Sequence, residues 1–232
     1  MNLSLVIPCY NEADNLPLLL ERCRALGACD GVEVILVDNG STDASPAILQ
    51  RLIPEYKGCR SVRVDVNRGY GFGVIAGLKS AKGDVLGWTH ADMQTDPHDA
   101  LAGFLYFKDN PEAVFVKGKR YGRPAMDVLF TVGMSLFESA LFARPMWDIN
   151  AQPTLFSRQF YEKWKSPPSD FALDLYVYHQ AVMQGLEVRR FPVQFGVRAH
   201  GVSHWNVSWS AKMKFIRRTL WYSVKLRRNT LK

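Results

Sequence analysis

Four short apolar runs in the first 92 residues, each closed by polar residues and followed by a helical pattern, constrain this chain's fold more than any other feature. LSLVIP at 3–8 ends on a proline, VEVILVD at 32–38 is rich in β-branched residues, SVRVDV at 61–66 alternates, and DVLGWTHAD at 84–92 turns polar at its end. Between them, residues 11–24 place Leu16, Leu19, Leu20 and Cys23 at helical spacing, with Asn11 or Asp14 as the cap. Ser45-Pro46 opens a second helix with proline in its first turn, and NRGYGFG leads into a third. Such repetition predicts an α/β fold, a mostly parallel sheet with helices on both faces. Ligands in these sheets bind beyond the carboxyl ends of the strands. Tyr10, Asn11, Glu12, Asp38, Asn67, His90 and Asp92 are therefore expected to converge on one crevice. After residue 100 the pattern loosens into an apolar helix at 128–143, a strand-like EVRRFPVQFGV at 187–197 and a basic amphipathic helix from about 209.

A chain of 232 residues suits one large domain, here divided into a body at 1–207 and a basic C-terminal helix at 208–232. The charge falls the same way. Residues 1–187 carry 18 basic against 22 acidic side chains, whereas the remainder carries 11 basic groups and no acid. The excess of positive charge thus concerns what the tail meets. No run reaches the roughly 18 consecutive apolar residues of a membrane crossing. The N-terminus meets Pro8, Asn11 and Glu12 early and reads as a strand of the mature fold, not a signal peptide. Cys9, Cys23, Cys29 and Cys59 form no metal-type pair and are expected as reduced thiols of a cytoplasmic protein.

Two segments carry candidate chemistry. Gly69, Gly71 and Gly73 in NRGYGFG stand where a strand-to-helix turn lets backbone amides approach a phosphate, although a plain tight turn has the same composition. In HADMQ, alternation in an extended chain would put His90, Asp92 and Gln94 on one face. An Asp carboxylate and a Gln carbonyl suit Mg2+ or Mn2+, and a histidine nitrogen leans the set toward Mn2+.

Read together, VIPCYNEADNL (6–16), VDNGSTD (37–43), NRGYGFGVIAGLKSAKGD (67–84), HADMQTDP (90–97), VKGKRYG (116–122) and VQFGVRAHGVSHW (193–205) resemble glycosyltransferase family 2, the inverting GT-A enzymes. The resemblance is to its dolichyl- or polyprenyl-phosphate sugar synthase branch in particular. It implies a GT-A, Rossmann-like fold, a nucleotide-sugar donor and a divalent ion. Pro8, Tyr10 and Glu12 match the motif around the nucleoside, and Asp38 matches the carboxylate that contacts the base. Asp92 matches the central acid of Asp-x-Asp, with Gln94 its usual companion. Arg120 matches the Arg of a Gly-Ser-Arg-Tyr segment, and Arg198 and Ser203 match the late element that closes over the donor phosphates. Asp174 falls where the wider family has a catalytic acid.

Three departures from that pattern stand out. His90 replaces the first Asp, His204 replaces a lysine near the phosphates, and Asp127 and Thr131 stand where the synthases hold an acceptor phosphate with an Arg-x-x-x-Ser pair. The expected activity is transfer of a hexose from a UDP- or GDP-sugar to polyprenyl phosphate. Cations at Asp92, Arg198 and Arg120 would neutralise the leaving diphosphate. The alternative is transfer to a hydroxyl of a glycan, lipid or protein, which needs Asp174 as general base. A non-catalytic module whose tail grips nucleic acid explains Asp38, Asp92, Gln94, Arg198 and Ser203 poorly, and no nucleic-acid partner is expected. In the tail, Trp209, Met213, Ile216, Leu220 and Val224 line one helical face among Lys and Arg, the pattern of a segment on an anionic membrane. The expected location is the cytoplasmic face of the membrane, as a peripheral protein.

Overall fold

The computed structural model of the chain describes residues 1–199 and 209–230. Seven strands, β1 (Leu3–Cys9), β2 (Val32–Asn39), β3 (Cys59–Val64), β4 (Val85–Trp88), β5 (Val114–Tyr121), β6 (Thr154–Ser157) and β7 (Glu187–Gln194), form one sheet in the order β3-β2-β1-β4-β6-β5-β7. The pairs β1–β2, β1–β4, β2–β3 and β5–β7 are parallel, and β6 runs antiparallel to both β4 and β5. The chain steps outward from β1 to β3 and then returns to lay β4 on the other side of β1. This makes the carboxyl ends of β1 and β4 a topological switch point, where such sheets open a crevice.

The helices are α1 (Leu16–Ala28), α2 (Ser45–Leu52), α3 (Tyr70–Ser80), α4 (Asp99–Phe104), α5 (Ala125–Phe142), α6 (Arg158–Glu162), α7 (Leu173–Met183) and α8 (Trp209–Thr230). One core lies between the sheet and α1, α2 and α4. It takes Leu5, Ile7, Leu36 and Val116 from the strands and Leu16, Leu20 and Leu49 from the helices. A second core on the other face joins Val6, Val37, Trp88 and Phe156 to α3, α6, α7 and Leu226 of α8. Strands covered on both faces need no alternation, which is why β1 and β2 read as continuous apolar runs.

Several expectations shift. The third strand is Cys59–Val64, not 61–66. The first helix begins at Leu16, because Asn11 takes a left-handed turn (φ 54°) and caps nothing. The apolar helix is Ala125–Phe142, and at 18 residues it is long and apolar enough to cross a membrane by length and composition. Its polar residues hide this from a search for uninterrupted runs. β5 and β6 carry no clear sequence signal, since Lys117 interrupts VFVKGKRY and β6 is only four residues long. On α8 the buried positions are Ser223 and Leu226, whereas Met213 and Val224, two of the residues that sequence spacing assigns to a membrane-facing stripe, are exposed.

Candidate functional site at the switch between β1 and β4

The loop after β1 is clipped to the loop after β2 by hydrogen bonds from both sides. Asn11 N donates to Ser41 Oγ (3.1 Å), Glu12 N to Ser45 Oγ (3.0 Å) and Ala13 N to Asp43 Oδ2 (3.2 Å), while Asn11 Oδ1 accepts from Thr42 N (2.9 Å). Polar residues in both motifs therefore hold the loop that presents Tyr10 and Glu12. Tyr10 is 41% exposed. The Glu12 carboxyl is pushed up, first by burial and then by the charge of Asp92, against a hydrogen bond from Asn15 and the charge of Arg198.

Beyond β4 the chain bends. Residues 91–95 are not extended, and Met93 sits at φ 65°, so the alternation expected to align His90, Asp92 and Gln94 does not hold. The turn is instead braced by Thr89 and Thr95, whose hydroxyls are 3.1 Å apart. Asp92 is nearly buried; its Oδ1 accepts from Gln94 N (3.2 Å) and its Oδ2 lies 2.8 Å from Arg198 Nη2. The Gln94 side-chain amide donates to Gly196 O (3.2 Å), and the His90 ring lies 5.9 Å from that of Tyr70. Among the described residues no three His, Cys, Asp or Glu side chains gather to hold an ion by themselves. A single carboxylate, with the Gln94 carbonyl beside it, does fit an ion that fills its shell with substrate phosphates, as Mg2+ and Mn2+ do.

Other predicted residues have different surroundings. Asp38 Oδ1 accepts from Ser41 N (2.9 Å), and its Oδ2 lies 3.6 Å from Arg63, its cross-strand partner. The neighbouring Asn39 points to the opposite face, donates to Gly69 O (3.0 Å) and keeps a buried Oδ1 with no hydrogen bond. Asn67 Oδ1 accepts from Gly69 N (2.8 Å). The glycines of this turn answer to the chain's own packing. A Cβ on Gly69 would meet Ser169 O at 2.5 Å, and one on Gly71 would meet Asp170 O at 2.7 Å. Close approach of residues 168–170 is by itself enough to require these two glycines.

Arg120 is committed to Asp148: its Nε donates to both carboxylate oxygens (3.1 and 3.3 Å), and its guanidinium lies 5.2 Å over the Phe195 ring. Burial alone would raise the Asp148 carboxyl, but the hydrogen bonds and charge of Arg120 outweigh it and hold it down. Asp174 is buried in the first turn of α7, accepts from Gln152 Nε2 (2.6 Å) and lies 4.0 Å from the buried Lys117 ammonium. Lys117 donates in turn to Thr154 Oγ1 (2.6 Å). Burial pushes Asp174 up and pulls Lys117 down, so both are drawn toward their neutral forms. Ser203 and His204 lie outside the described residues.

Sequence reasoning missed Arg123. Asp127 stands where the synthases carry an arginine, and an acid there would repel a phosphate, yet Arg123 Nη1 donates to Thr131 Oγ1 (2.9 Å) and its guanidinium lies 5.5 Å over Phe195. Arg123 and Thr131 are eight residues apart, a separation that no helical spacing rule flags, because Arg123 precedes α5 and folds back onto it.

A seven-stranded, mostly parallel sheet with an acidic turn at its switch point is a fold of the GT-A type. The glycosyl transferase family 2 model matches residues 4–176, and the chain belongs to that family. Residues of this chain are 42% identical over 102 positions to the undecaprenyl-phosphate 4-deoxy-4-formamido-L-arabinose transferase of Pseudomonas paraeruginosa, covering 41% of this chain and 29% of that protein. The enzyme of the same name from Pectobacterium carotovorum is 39% identical over 104 residues, 42% of this chain and 31% of that one. The match therefore spans under a third of these relatives' length. Among solved structures, a Pyrobaculum calidifontis mannosyltransferase in complex with GDP-Man and Mn2+ superposes with TM-score 0.66 at 22% identity, covering 93% of this chain and 64% of that one. The Mycobacterium tuberculosis glucosyl-3-phosphoglycerate synthase with Mn2+, UDP-glucose and phosphoglyceric acid gives 0.73 at 19%, covering 97% and 79%. At these identities the likeness is one of fold.

Proposed function

We propose that this glycosyltransferase moves a hexose, with inversion, from a UDP- or GDP-sugar to the phosphate of a polyprenyl lipid at the cytoplasmic face of a membrane. The observation that carries the reading is the meeting of Glu12, Asp92 and Arg198 at the switch between β1 and β4, with a second cation, Arg123, beside Thr131 at the start of α5. The names of the curated relatives, which specify undecaprenyl phosphate, support the acceptor.

In this reading Pro8, Tyr10, Asp38, Asn67 and the turn at Gly69 and Gly71 border the nucleoside. Arg198 and the segment holding Ser203 and His204 meet the diphosphate. Mn2+ or Mg2+, held by Asp92, Gln94 and His90, supplies positive charge against the leaving diphosphate. Arg198 does the same from the protein side, in a crevice where a fixed cation acts more strongly than in water. An acceptor phosphate is already ionised and needs no base. Arg123, with its hydroxyl neighbour Thr131, is placed to orient it, the role that Asp127 would oppose. Asp174 is buried, bonded to Gln152 and 4.0 Å from Lys117, which supports a structural role more than that of a base that meets substrate.

Membrane contact falls to α5 and α8. Met126, Leu129 and Leu136 of α5 are exposed, as are Met213, Trp221 and Val224 of α8 among Lys214, Arg217, Lys225 and Arg228. An apolar helix face edged with cations suits the interface of an anionic bilayer. Because Ser135, Glu138 and Phe142 of α5 are buried in the fold, the helix is read as lying on the membrane and not across it.

The test is transfer from radiolabelled UDP- and GDP-sugars to undecaprenyl phosphate in detergent with Mn2+ or Mg2+. Label in the organic phase is expected from one donor, lost in Asp92→Asn, with the lipid KM raised about tenfold in Arg123→Gln. Nucleotide binding without lipid label from either donor would reject this acceptor.

A further inference from the structure

The segment leaving β7 lies directly on the turn that follows β4. Gly196 N donates to Gln94 O (2.8 Å), the Gln94 side chain returns a hydrogen bond to Gly196 O (3.2 Å), and Arg198 Nη2 lies 2.8 Å from Asp92 Oδ2. Both Asp92 oxygens are thereby engaged, one by Gln94 N and one by Arg198. The pair is well shielded, with side-chain exposures of 28% for Arg198 and 10% for Asp92. Asp92 carries the carboxylate charge of the HADMQ turn, and the guanidinium cancels it.

A divalent ion arriving alone must break this pair. It gains one carboxylate and leaves a partly buried guanidinium, whose Nε already lacks a partner, without its counter-charge. Removing one member of a shielded ion pair is expensive for that reason. An ion arriving on a nucleoside diphosphate imposes no such loss, because the diphosphate oxygens complete the ion's shell and also receive Arg198.

We infer that Arg198 and the divalent ion compete for Asp92, and that the ion is taken up as its nucleoside-diphosphate complex while Arg198 passes from Asp92 to the diphosphate. This rests on the donor reading above and adds the chemical form in which the donor binds. Arg198 acts here as a positioning residue that excludes the free ion and then clamps the leaving group. Thermodynamic linkage makes the consequence reciprocal: nucleotide strengthens ion binding, and the ion strengthens nucleotide binding by the same factor.

Mn2+ binding measured by electron paramagnetic resonance, on the full chain with and without UDP or GDP, tests this apart from turnover. Wild-type protein is expected to bind Mn2+ alone at least about tenfold more weakly than in the presence of the accepted nucleotide. Arg198→Gln is expected to bind Mn2+ alone about tenfold tighter than wild type and to lose most of the coupling, while Arg198→Lys, which keeps the charge, retains weak binding of the free ion. Circular dichroism and melting confirm that each variant is folded. Equal affinity of wild type and Arg198→Gln for Mn2+ alone overturns the inference, as does nucleotide binding that Mn2+ leaves unchanged, and in the latter case the donor reading stands. Failure of both nucleotides to bind wild type removes the donor reading and the inference together.

Discussion

Arg120 and Asp148 show how a motif residue can be claimed by the fold. Their side chains are 11% and 7% exposed, so cutting the pair leaves a charge where water cannot compensate it. Arg120→Met is expected to lower stability by about 3 kcal/mol in urea unfolding. Adding Asp148→Leu should recover much of that loss, since a matched apolar pair leaves no stranded charge. A double variant as unstable as the single one would mean that the guanidinium's stacking on Phe195, not its charge pairing, carries the stability. Asp174 poses the complementary question about chemistry. General-base catalysis contributes about 10²–10⁴-fold. With a phosphate acceptor, Asp174→Asn should keep turnover within about tenfold of wild type. A fall of three orders of magnitude in a folded variant would move the acceptor to a hydroxyl.

At the scale of elements, the seam between α5 and α8 is closed by a buried carboxyl. Ser223 Oγ donates to Glu138 Oε1 (2.6 Å), and Glu138 Oε2 has no hydrogen bond. Burial raises the Glu138 carboxyl from 4.5 to about 7, against the Ser223 hydrogen bond. Between these values the folded chain holds a proton that the unfolded chain has released, so this group's contribution to stability falls as pH rises from 4.5 to 7. Above that window the ionised carboxylate costs at most roughly 3 kcal/mol. Glu138→Gln should therefore raise the melting temperature at pH 8 by several degrees and change it little at pH 4.5. An equal gain at both pH values would show that ionisation of Glu138 is not the cause. His179, pulled down to about 4 by burial, acts in the opposite sense: its contribution is full above about 6.5 and is lost as pH falls toward 4.

At the scale of the molecule, charge and apolar surface lie on the same side of the fold. The exposed residues of α5 and the basic positions of α8 belong to packed neighbours, with Lys225 Nζ 5.1 Å over the exposed Trp221 ring. The chain should co-sediment with vesicles containing phosphatidylglycerol and far less with neutral phosphatidylcholine vesicles, and raised salt should weaken the first interaction. Leu129→Glu with Leu136→Glu should weaken it further, because these side chains are exposed and their loss leaves the core intact. Binding that ignores both lipid charge and these substitutions would place the contact elsewhere.

The sequence by itself determined the α/β class, the crevice at the carboxyl ends of the first strands and the family. Those features rest on local periodicity and on short contiguous motifs, which survive without knowledge of long-range contacts. Tertiary structure alone decided what each motif residue touches. Gly69 and Gly71 turned out to admit residues 168–170, Arg120 was taken by Asp148, and Arg123 moved in beside Thr131. The pairing of Arg198 with Asp92 joins residues more than a hundred positions apart, and Lys117 reads as a break in a strand until Thr154 and Asp174 close around it. Periodicity reports which face a side chain takes on its own element. Which charge waits on the facing element is settled only when β7 and α7 pack against the sheet.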